Sequence, residues 1–65
     1  MELYYDFKEC ECVNLAGELI TIPAGRHVVA ETDVVSVQVG DQTFDLDKTT
    51  FKLLRTQKIV NTPLL

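Results

Sequence analysis

The chain has 65 residues, 46% hydrophobic and 25% charged, with a formal net charge of −4. That length suits one domain, and that composition argues against disorder. No apolar run is long enough to cross a bilayer, and Met1-Glu2-Leu3-Tyr4-Tyr5-Asp6 has neither the basic start nor the apolar run of a secretory signal. The simplest expectation is therefore a cytoplasmic protein.

Leu3, Tyr5 and Phe7 alternate with Tyr4, Asp6 and Lys8, as in a strand whose apolar side takes the odd positions. By Cys10 and Cys12 the less polar side has moved to even positions, with Glu9 and Glu11 alternating with them, so a bulge or bend is expected near Lys8-Glu9. Asn14-Leu15-Ala16-Gly17 should end that strand in a turn. Glu18-Leu19-Ile20-Thr21-Ile22 is the next strand, closed by Pro23-Ala24-Gly25, and Arg26 to Thr32 forms a third. The pattern leaves open whether Val29, or Val28 with Ala30, faces inward on that strand.

Val34 to Leu46 organises the rest as a β-hairpin. A two-residue type II′ turn at Gly40-Asp41 sets Val37 opposite Phe44 and Val35 opposite Leu46 on one face, with Ser36 opposite Asp45 and Gln38 opposite Thr43 on the other. A four-residue loop over Gly40 to Thr43 keeps the same facing. A slip of one residue would put the apolar set in water, so Val37, Phe44 and Leu46 are expected in the core.

After Leu46 the alternation stops. Asp47 can cap a short helical turn over Lys48-Thr49-Thr50-Phe51, expected to be 3₁₀. A full helix from Lys48 to Lys58 is disfavoured because Phe51, Leu54 and Ile59 do not separate from Lys52, Arg55 and Lys58 around the wheel, and three threonines weaken it further. The expected alternative is a final strand at Lys58-Ile59-Val60-Asn61, stopped by Pro63. Together these elements make an all-β, mainly antiparallel fold. The expected form is a five- to six-stranded, partly open barrel resembling the Src-homology-3 type, with one short 3₁₀ turn before the last strand. An oligonucleotide-binding-type barrel is the second choice, and an unclosed edge would be open to a partner.

The search for chemistry is largely negative. Gly17, Gly25 and Gly40 sit in separate turns and form no phosphate loop. Ser36 lies mid-strand, His27 just after a turn, and Asp45 with Asp47 reads as a solvated pair, so no nucleophile, base and orienting group can be named together. The expectation is a protein that is not an enzyme and needs no cofactor. Cys10 and Cys12 are too close for a good disulfide, and with only His27 as a third ligand they fall short of a metal site.

Binding remains. Up to Asp33 there are seven acids against two bases, and from Val34 onward three acids against four bases. The first expectation is an acidic protein-interaction module that meets a basic protein through Glu9, Glu11, Glu18, Glu31 and Asp33. A chain so small fits a regulator or inhibitor of the kind that phages and other mobile elements encode. The alternative is nucleic-acid binding through Arg26, Lys48, Lys52, Arg55 and Lys58, with Tyr4, Tyr5 or Phe51 for stacking. The third is a homo-oligomer formed through an edge strand or the tail Leu64-Leu65.

Overall fold

Two antiparallel sheets and one helix carry the fold in a computed structural model that describes residues 2–61. Pro63 and the tail Leu64-Leu65 lie outside the described residues. The elements run β1 (Glu2–Phe7), β2 (Cys10–Val13), β3 (Leu19–Ile22), β4 (Gly25–Glu31), β5 (Val35–Val39), β6 (Gln42–Leu46), α1 (Lys48–Gln57) and β7 (Ile59–Asn61). Strands β6-β5-β4-β1-β7 form one sheet in that order, and β2 with β3 forms a second. The strand count exceeds the expected five or six because the first strand does not merely bend. It divides at Lys8-Glu9, where the apolar phase changes, into β1 and β2.

The central hairpin has the expected register, with Val35↔Leu46, Ser36↔Asp45, Val37↔Phe44, Gln38↔Thr43 and Val39↔Gln42. Gly40 has φ +59° and, among the described residues, no non-glycine residue has positive φ, which suits a type II′ loop at Gly40-Asp41. On the wet face the Ser36 hydroxyl donates to Asp45 Oδ1 at 2.8 Å. Inward, Val35, Val37 and Leu46 are fully buried, whereas Phe44 is only partly buried and packs against the core from its margin. On β4 it is Val29 that is buried, opposite Val37 on β5 and Leu3 on β1.

The smaller sheet completes the core by parity. Pairs Cys10↔Ile22 and Cys12↔Ile20 take the inner face, and pairs Glu11↔Thr21 and Val13↔Leu19 take the outer one. Its turn is built by Asn14, whose Oδ1 accepts from the Ala16 and Glu18 amides at 3.0 and 2.9 Å, with Gly17 at φ +82°. The tip then reaches across to β6, where the Leu15 amide donates to the Asp45 carbonyl at 2.9 Å. Strand pairing closes neither sheet into a barrel.

The expected 3₁₀ turn is a ten-residue α-helix. Asp47 caps it as anticipated, accepting from the Thr49 amide at 3.1 Å, but the helix continues to Gln57. Two of the residues that spoil the separation around the wheel, Lys58 and Ile59, lie outside the helix. Lys58 is the C-cap, donating to the Leu54 carbonyl, and Ile59 belongs to β7. With those two removed, the helix buries a narrow stripe, Phe51 and Leu54, three residues apart. Packing on Tyr5 outweighs the weak propensity of the threonines, as tertiary burial commonly does.

Candidate functional site

The five candidate acids do not share one surface. Glu9 and Glu11 lie at the base of the β2–β3 hairpin and line a depression with Cys10, Thr21 and Lys58. Glu18 lies at the tip of the same hairpin, where its Oε1 accepts from Asn14 Nδ2 at 3.3 Å. Glu31 and Asp33 belong elsewhere: Phe7, just before Glu9, pairs with Gly25 at the start of β4, and Glu31 is at its end. At the strand rise of about 3.3 Å per residue, the two ends are roughly 20 Å apart.

Outside, the hairpin carries apolar surface that charge counting overlooks. Val13 is 50% exposed and its cross-strand partner Leu19 is 69% exposed, with Leu15 also exposed at the turn. The period-2 signal for this pair was in the sequence, since Val13 has the parity of Glu11 rather than of the cysteines. Residues 9–25 contain three acids and no lysine or arginine. Lys58, the C-cap of α1, lines the same depression as Glu9 and Glu11, while Glu18 stands beside Leu19 at the opposite end.

The five candidate bases separate in a similar way. Arg26 forks onto Asp6 across β1 and β4, with Nε to Oδ1 at 2.8 Å and Nη2 to Oδ2 at 3.2 Å, and this hydrogen-bonded carboxylate raises the guanidinium pKa. Lys58 is with Glu9 and Glu11. Lys48, Lys52 and Arg55, four and three residues apart, follow one helix stripe and line a groove of about 430 Å³ with Phe51, Val35, Glu31 and Thr32. The aromatics proposed for stacking are not presented there. Tyr5 and Phe51 are buried, and exposed Tyr4 takes the opposite parity on β1 from Tyr5, hence the other face of the sheet.

The thiols are free and inward-facing. Burial pushes the Cys10 thiol pKa up, opposed in part by the nearby Lys58 charge, and Cys12 is pushed up by burial and then by Cys10. His27 is half-buried, its Nε2 donates to the Pro23 carbonyl at 2.7 Å, and its ring lies tilted against Phe7. Among the described residues, no three His, Cys, Asp or Glu side chains gather as a metal site, and no helix is long and apolar enough to cross a membrane.

No family model matches the chain, and neither a curated protein nor a solved structure matches it.

Proposed function

We propose that the protein is a small interaction module, non-enzymatic, whose working surface is the outer face of the β2–β3 hairpin and whose partner is a basic protein. The observation that carries this reading is the exposed Val13–Leu19 pair set between acids, Glu11 along the strand and Glu18 at the turn. An apolar centre with a charged rim is the usual anatomy of a protein-binding patch, and the hairpin's own acids, which outnumber Lys58 at its base, favour a basic partner. A regulator or inhibitor small enough for a phage or mobile element to encode suits such a surface.

A three-stranded meander β4-β5-β6, a helical segment, and a last strand returning beside the first support a Src-homology-3-like arrangement, with α1 in place of the short turn. Two free thiols support a reducing compartment such as the cytoplasm.

The test is a pull-down from source-cell lysate treated with nuclease. The parent should retain a basic protein, and both Leu19→Glu and the double variant Glu11→Lys/Glu18→Lys should lose it while melting near the parent's temperature. Retention unchanged in both folded variants would remove the hairpin from any role in recognition.

A further inference from the structure

The groove on α1 has the character that the hairpin's partner needs. Lys48, Lys52 and Arg55 line it against the single acid Glu31, above Val35 and Phe51, which are themselves almost fully buried. At about 100° per residue, the three cations span roughly 60° of the helix circumference, immediately beside the buried Phe51–Leu54 stripe. Arg55 is held in place over the Tyr5 ring, its guanidinium carbon 5.6 Å from the centroid. The hairpin offers the converse, exposed Leu19 and Val13 with Glu11 and Glu18 and no base between residues 9 and 25. Volume is no obstacle, since a groove of about 430 Å³ is several times larger than a leucine side chain.

We infer that the occupant of this groove is the β2–β3 hairpin of a second copy of the chain, so that copies associate head to tail. The inference rests on the proposed role of the hairpin, and it locates the basic surface that the hairpin meets in the groove of a second copy, although the chain as a whole carries a net charge of −4. Glu11 and Glu18 of one copy face Lys48, Lys52 and Arg55 of the next, and Leu19 enters the groove that those cations rim. Because the two surfaces differ, the contact is heterologous: it leaves one hairpin and one groove free on every dimer, and assembly proceeds to rings or open chains. A nucleic acid is the less suitable occupant, because the aromatics nearest the cations are buried and the chain carries a net charge of −4.

The experiment follows the mass of the purified protein by light scattering and sedimentation as concentration rises at low salt. The parent should grow beyond a dimer. Leu19→Glu, which disables the hairpin, and Lys48→Glu/Lys52→Glu, which disables the groove, should each remain monomeric, with the association midpoint raised at least about tenfold. Mixed in equal amounts they should form a heterodimer and stop there, because each supplies the surface the other lacks. Should Leu19→Glu fail to fold, Glu18→Lys, in the exposed turn, takes its place. A parent that stays monomeric, variants that assemble like the parent, or a mixture that does not pair each overturns the inference. So does binding of a single-stranded oligonucleotide to the parent that Lys48→Glu/Lys52→Glu abolishes. If the pure protein is monomeric while the lysate still yields a basic protein sensitive to Leu19→Glu, the inference fails and the hairpin's proposed role stands. If neither assembly nor capture depends on the hairpin, both fail.

Discussion

Tyr5 on β1 and Phe51 on α1 meet edge to face, with ring centroids 5.6 Å apart and planes at 90°. This contact joins the helix to an inner strand of the five-stranded sheet, since β1 lies between β4 and the edge strand β7. An edge-to-face pair adds about 0.5–1.5 kcal/mol to the burial of its rings, and Phe51 is almost completely buried.

Phe51→Ala should therefore cost about 3–5 kcal/mol, a large fraction of the stability of a chain this small. Phe44→Ala should cost only about 1–2 kcal/mol, because the ring is partly exposed and less transfer free energy is lost. Urea denaturation of the two variants ranks them. Equal losses would mean that the helix contributes no more to the core than the margin of the hairpin.

Asp47→Ala removes the acceptor for the Thr49 amide. The expected loss is about 1 kcal/mol, read as a fall in melting temperature of about 4–8 °C. Asp47→Asn, which keeps a capping oxygen, should remain close to the parent. If the alanine variant melts with the parent, the cap contributes nothing measurable.

Gly40 takes φ +59° with nothing within 4 Å of where a Cβ would sit, so its replacement is a test of backbone strain alone. Gly40→Ala should cost about 1–2 kcal/mol, and Gly40→Asn less, since asparagine tolerates the left-handed region. Thermal melts of the two variants decide it, and the opposite order would argue against a left-handed turn residue here.

The thiols predict an alkaline limit. Burial raises the pKa of Cys10 and Cys12 above the ordinary value of 9.0, so the folded state holds these protons more tightly than the unfolded chain does. Their contribution to stability is complete below that value and is lost as pH rises through the folded pKa. Melting temperature should fall above about pH 9, and the fall should be shallower in Cys10→Ala/Cys12→Ala than in the parent. Parallel pH profiles for the two proteins would exclude the thiols as its source.

The hairpin was legible because period-2 alternation over Val35–Val39 and Gln42–Leu46 permits one register, and Gly40 fixes where the chain reverses. The place where the first strand breaks was legible too, from the change of parity between Phe7 and Cys10, although it reads there as a bend and not as a division into β1 and β2. Both are local facts: alternation and turn chemistry are set by neighbours in sequence. The helix was not legible, because its evidence is a contact. Lys58 and Ile59, which lie beyond the helix, mask the narrow Phe51–Leu54 stripe on a wheel, and the Tyr5 ring that packs on Phe51 is 46 positions upstream. The candidate surfaces follow the same rule. Counting acids and bases found a charged half, but the fold distributes those charges: Glu31 goes to the groove with Lys48, Lys52 and Arg55, while Lys58 goes to Glu9 and Glu11. Sequence determined which residues alternate; the tertiary structure alone decided which charges are neighbours, because charges distant in sequence acquire neighbours only when the sheets and helix pack.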